Sequence, residues 1–245
     1  MKENTFIKPA VEMSEGDGVD VHRLFPVSSK MMNYDPFVLW DNFNIGPERG
    51  FPTHPHRGFE AITYMFSGSI EHKDNLGNQS TVTTGGAQRF TAGRGIEHSE
   101  MPDSQVFSNG IQLWINLAKE LKSIEPAYQQ VDKENIPVKK IDGGTISIIV
   151  GDESPVKLHT PVRYLNVNLD KTTVLTEPVP DDFRGFVYLI SGKLKINEKE
   201  VKQCEAFFFE EINKLTIEAS EDSHFMLCMG KPHREPIKQH GPYVD

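Results

Sequence analysis

Residues 51–68 read FPTHPHRGFEAITYMFSG. His54 and His56 stand one residue apart. Side chains two apart on an extended strand share a face and lie about 6–7 Å from each other, so both imidazoles point to the same side. Residues 61–66 then form a short apolar and β-branched run that stops at the turn pair Ser67-Gly68. Working outward, similar runs recur at 37–40, 111–117, 146–150, 164–169 and 186–190. Between them sit Gly46-Pro47, Gly77-Asn78, Gly85-Gly86, Asn109-Gly110 and Gly143-Gly144. Many short strands punctuated by Gly and Asn predict an all-β barrel or sandwich. The best helical candidate is a short piece between Lys119 and Tyr128, broken by Pro126.

The run Tyr64-Met65-Phe66-Ser67-Gly68 returns as Tyr188-Leu189-Ile190-Ser191-Gly192, each followed by a half-exposed strand pattern. A duplicated barrel explains the repeat. Residues 125–144 are polar and charged and contain Pro126 and Pro137, so they read as the boundary between an N-terminal domain, 1–130, and a C-terminal domain, 131–245.

His98 and Glu100 repeat the one-residue spacing of His54 and His56. Two adjacent strands carrying these pairs inward present three imidazoles and a carboxylate to one point, a donor set for a divalent metal. Without a thiolate the set suits iron, manganese, nickel, copper or zinc, and Fe(II) is the first choice because it extends the two-histidine, one-carboxylate site of non-haem iron oxygenases by one histidine. Glu60 falls on the same face as His56 by parity and is expected as a further ligand or as an acceptor that orients a histidine. Gly93-Arg94-Gly95 predicts a tight turn that aims the strand of His98 inward. Arg57 and Arg94 read as ion-pair partners. His72, in Glu71-His72-Lys73-Asp74 near a hairpin turn, reads as solvated. The second half has no HxH pair: the positions matching His54 and His56 relative to the Ser-Gly turn hold Pro178 and Pro180.

Composition excludes other classes. A net charge of −9 opposes a broad electrostatic grip on nucleic acid. The apolar stretches are too short to cross a bilayer, and residues 1–14 lack the apolar core of a signal peptide, so a cytoplasmic protein is expected. The two cysteines, Cys204 and Cys228, form no CxxC pair and read as free thiols. No nucleophile elbow, phosphate loop or dinucleotide fingerprint is present.

The run 51–60, the run Thr91-Ala92-Gly93-Arg94-Gly95-Ile96-Glu97-His98-Ser99-Glu100-Met101-Pro102, residues 110–117 and the terminal 235–244 together resemble the pirin family of the cupin superfamily. The resemblance covers nearly the whole chain. It implies a bicupin, two β-barrels facing each other with metal only in the first. Its ligands fall on His54, His56, His98 and Glu100, and Glu60 becomes a residue behind them. Two roles are implied. One is dioxygenation of a flavonol-like substrate with O2, as in quercetin 2,3-dioxygenase, where Glu60 or Glu100 accepts a substrate proton. The other is an iron- or redox-responsive regulator acting through protein partners.

Overall fold

The computed structural model of the chain describes residues 4–102 and 106–245. It is all-β: the helices among the described residues are two single 3-10 turns, Lys119–Leu121 and Lys133–Asn135. The helix expected between Lys119 and Tyr128 is therefore cut to its first turn, and Tyr128 lies on a strand.

The chain forms two compact units. Strand β1 (Thr5–Pro9) belongs to the second of them. The first unit then takes β2 (Val11–Glu15), β3 (Val19–Phe25), β4 (Phe37–Ile45), β5 (Phe51–His56), β6 (Phe59–Ser67) and β7 (Ser69–Asp74). It continues through β8 (Gln79–Thr83), β9 (Ala87–Thr91), β10 (Ile96–Pro102), β11 (Ser108–Asn116) and β12 (Ala127–Val131). The second unit takes β13 (Val138–Ile141), β14 (Gly144–Val150), β15 (Val162–Leu169), β16 (Val174–Pro178) and β17 (Arg184–Ser191). To these it adds β18 (Leu194–Ile196), β19 (Lys199–Val201), β20 (Glu205–Glu210), β21 (Lys214–Ala219) and β22 (Ser223–Gly230). The last pair, β23 (Gln239–His240) and β24 (Tyr243–Val244), returns to the first unit. The change of unit at Ile136/Pro137 falls inside the polar segment 125–144, but both chain ends depart from contiguous halves.

Each unit is built on two main sheets, to which the first adds the β23-β24 pair. In the first they run β12-β9-β6-β11-β4-β3-β2 and β5-β10-β7-β8; in the second, β1-β20-β17-β22-β15-β14-β13 and β16-β21-β18-β19. Read position by position, the two orders match: β6 with β17, β11 with β22, β5 with β16, β10 with β21. The duplication inferred from the Ser-Gly runs is thus a duplication of topology. The sheets stay separate, so each unit is an open jelly-roll sandwich and not a closed barrel.

Alternation along β6 shows how sequence positions the interior. Phe59 and Ala61 enter one buried apolar cluster with Phe90 and Trp114, Met65 enters another with Phe43 and Val82, and Thr63 between them is the polar residue on that face. Each large side chain so buried contributes about 1.5–3 kcal/mol. The matching strands of the second unit place Leu175, Leu194, Ile196, Leu215 and Ile217 in an apolar core, and Glu177 of β16 is also buried, paired with Arg163.

Candidate metal centre

Strands β5 and β10 are antiparallel neighbours, with His98 opposite His54 and Ile96 opposite His56. The ladder then slips, so that Glu100 faces Phe51, a bulge that turns the strand between the two residues. On the other side of β10, β7 sets Asp74 opposite His98 and His72 opposite Glu100.

The rings of His54, His56 and His98 converge. Their centroids are 4.6 Å (54–56), 4.6 Å (54–98) and 4.9 Å (56–98) apart. One nitrogen of each lies within 4.8 Å of the others. Hydrogen-bond partners assign the tautomers. His54 Nδ1 donates to the Pro52 carbonyl at 2.7 Å, and His56 Nδ1 donates to the Pro242 carbonyl at 3.3 Å. A neutral ring with its proton on Nδ1 carries its lone pair on Nε2. Burial, reinforced by the neighbouring His98 and His54 rings, lowers the His56 pKa to about 2. His98 is likewise held well below the usual histidine range, by burial first and then by His54 and His72. Both rings are neutral at pH 7 and able to coordinate a cation. Trp114, Phe59 and Phe90 wall His56, with centroids at 4.9, 5.1 and 5.5 Å.

Glu100, expected as the fourth ligand, does not fall in this group of three: it lies with His98 and His72 in a second cluster whose donor atoms are within 4.8 Å of one another. Its Oε1 accepts from the Thr63 hydroxyl at 3.3 Å and from the Gln88 amide, and its Oε2 accepts from the Gln112 amide at 2.9 Å. The donor set fits a divalent ion on one further observation: His98 Nε2 is buried with no hydrogen-bond partner among the described residues. An acceptor left dry costs about 1–3 kcal/mol, and a bound cation removes that cost.

Two expectations are corrected. Glu60 lies on the opposite face of β6 from Thr63, with Oε1 taken by the Thr91 hydroxyl at 2.9 Å and Oε2 by the His159 backbone N–H at 2.8 Å. Parity does not carry from His56 to Glu60, because Arg57-Gly58 breaks the strand between them. His72 is fully buried, not solvated: β7 turns it inward although its neighbours Glu71 and Lys73 pair outside with each other at 2.7 Å. Arg57 and Arg94 form ion pairs, with Asp245 at 2.9 Å and Glu125 at 2.8 Å. Gln88, Gln112, Tyr128 and Asp74 escaped the sequence reading. For Asp74 the signal was present, since His72 and Asp74 share the spacing of His54 and His56.

His54 and His56 open onto a cleft of about 730 Å3 whose lining includes Leu39, Trp114, Gln112 and Arg23. Arg23 grips Asp41 with two parallel hydrogen bonds, 2.8 and 2.6 Å, and reaches Glu15 at 2.5 Å. Among the described residues no helix is long and apolar enough to cross a membrane.

The chain is similar to known proteins over almost all of its length. The Pirin family model matches residues 18–115, and the Pirin C-terminal cupin domain matches residues 164–245. Pirin of Homo sapiens is 39% identical over 244 residues, spanning 95% of this chain and 84% of that protein. A pirin-like protein of Caulobacter vibrioides is 36% identical, spanning 94% of this chain and 88% of its own length. Among solved structures, a quercetin 2,3-dioxygenase from Acinetobacter baumannii superposes with a TM-score of 0.90 at 28% identity, over 98% of this chain and 90% of that one. With both of its cupin units matched and almost its full length aligned, the chain is a bicupin and belongs to the pirin family.

Proposed function

We propose that the first unit holds one divalent metal ion, Fe(II) before manganese, nickel, copper or zinc, through His54, His56, His98 and Glu100. On this reading the protein is a dioxygenase of the quercetin 2,3-dioxygenase type, acting on a flavonol-like substrate in the cytoplasm. The observation that carries the proposal is the convergence of three imidazoles, two of which, His54 and His56, line a cleft of about 730 Å3, a volume suited to a small aromatic molecule. The activity named for the A. baumannii neighbour supports it, and the free thiols Cys204 and Cys228 fit a reducing compartment.

A divalent ion in this position supplies Lewis acidity and a template for substrate and dioxygen. The chain supplies the rest. Leu39, Trp114 and Phe51 give the cleft an apolar wall on which an aromatic ring is stripped of water. Glu100 accepts the proton of a substrate hydroxyl brought within about 3 Å, and Gln88 and Gln112 hold its carboxylate in place. Glu60 is assigned no role, because it lies outside both clusters of metal-capable groups.

The test is turnover of quercetin, with and without air, by protein loaded separately with Fe(II), Mn(II), Ni(II), Cu(II) and Zn(II). The expected result is O2-dependent loss of flavonol absorbance that disappears in His56→Ala. No loss with any ion would overturn the enzyme reading and turn attention to partner capture that depends on the oxidation state of iron.

A further inference from the structure

Behind the candidate ligands lies a buried hydrogen-bonded chain that the proposed chemistry does not use directly. Asp74 closes the turn after β7. Its Oδ1 accepts from the Leu76 and Asn78 backbone N–H groups at 2.9 and 3.0 Å, and Oδ2 accepts from the Asn78 side-chain amide at 2.9 Å. Oδ2 also faces His72 Nε2 at 3.0 Å, and both side chains are fully buried. A carboxylate accepts, so His72 Nε2 carries a proton. Taken as neutral, His72 has that single N–H, which leaves Nδ1 as an acceptor. That atom lies 3.4 Å from His98 Nδ1. His98 Nδ1 is thereby the donor, and the lone pair of His98 falls on Nε2, the buried atom without a partner.

We infer that His72, held by Asp74, is a positioning residue that fixes the tautomer of His98 and so presents His98 Nε2 to the metal. The inference rests on the metal reading above for its consequence, though not for its geometry. The plane of His72 is set by Tyr128, which stacks on it at 4.1 Å and 15°. The Tyr128 hydroxyl donates to Gln88 Oε1 at 3.1 Å, and Gln88 in turn donates to Glu100. One aromatic ring therefore braces the supports of both His98 and Glu100. Partners behind a ligand typically matter by about 10–100-fold in metal affinity.

The experiment uses the full-length protein with histidine 15N labelling. Long-range 15N–1H spectra of the metal-free form report the His98 tautomer, and competition with a chromophoric chelator under anaerobic conditions reports Fe(II) affinity. Wild type is expected to show His98 protonated on Nδ1. His72→Phe keeps the stacking surface and removes the acceptor. It is expected to scramble that tautomer and weaken Fe(II) binding about 10–100-fold, with partial recovery in His72→Gln, whose amide oxygen accepts again. Asp74→Ala leaves the His72 ring in place and is expected to give a smaller loss of the same kind. It decides the matter if His72→Phe does not fold. An unchanged His98 tautomer and unchanged Fe(II) affinity in the folded variants would overturn the inference. Failure of the metal reading is told apart by His56→Ala: if that variant holds iron as tightly as wild type, the centre is misassigned, while the tautomer spectra still decide the role of His72.

Discussion

His224, in the second unit, shows in isolation what burial does to an imidazole in this protein. Its Nε2 donates to the Asn166 side-chain oxygen at 2.6 Å, and burial lowers its pKa to about 4. The folded pKa lies below that of the unfolded chain, so below about pH 6.5 the unfolded state takes up the proton first. The contribution to stability is complete above pH 6.5 and is lost as pH falls toward 4, by at most about 1.4 kcal/mol per pH unit. Urea unfolding at pH 7 and pH 5 is expected to show wild type losing about 1–2 kcal/mol more than His224→Gln over that interval. Equal losses would contradict the assignment. The same physics acts on His56 and His98, where the neutral form is the one that binds a cation.

At the scale of elements, two glycine turns aim the ligand strands. Gly58, with φ +87°, ends the β5 side of the first turn, and a Cβ there would stand 1.8 Å from the Val244 carbonyl oxygen. Gly93, with φ +48°, precedes β10, and its Cβ would meet the Ile124 carbonyl oxygen at 2.2 Å. Gly77, with φ +91°, has open space around it. A left-handed residue with a Cβ costs about 1–2 kcal/mol, so Gly77→Ala should cost about that much. Gly58→Ala and Gly93→Ala must also displace backbone, and each should cost at least about 1 kcal/mol more by chemical denaturation. Equal costs at all three positions would contradict the packing described. These turns also mark where the sequence was legible. The meeting of His54, His56 and His98 followed from strand periodicity, and the Gly-Arg-Gly turn from its glycines, whereas the slip between His98 and Glu100 leaves Glu100 grouped with His98 and His72. Glu60 misled because periodicity restarts across Gly58, which parity cannot see. His72 was hidden by its charged neighbours, since a strand that buries one face shows polar residues on the other even beside an inward histidine. Gln88 and Gln112 reach Glu100 from β9 and β11, contacts made across sheets that local pattern does not encode.

For the whole molecule, the repeated Ser-Gly runs correctly announced two copies of one topology. The exchange of ends did not announce itself, because β1 joins β20 through a ladder such as Phe6 opposite Phe208, a pairing between residues far apart in the chain. The copies have diverged inside. Strands β5, β7 and β10 carry His54, His56, His72, His98 and Glu100, whereas the matching β16, β18 and β21 carry Leu175, Leu194, Leu215 and Ile217 into an apolar core. Neutral imidazoles facing one another can gather a cation, and packed leucines cannot, so the chain should hold one ion. The direct measurement is metal content by mass spectrometry on protein purified without added metal, beside His56→Ala prepared in parallel. The account predicts close to one equivalent per chain in wild type and its loss in the variant. Wild-type protein that carries no stoichiometric metal, or a variant that retains it, would contradict the account.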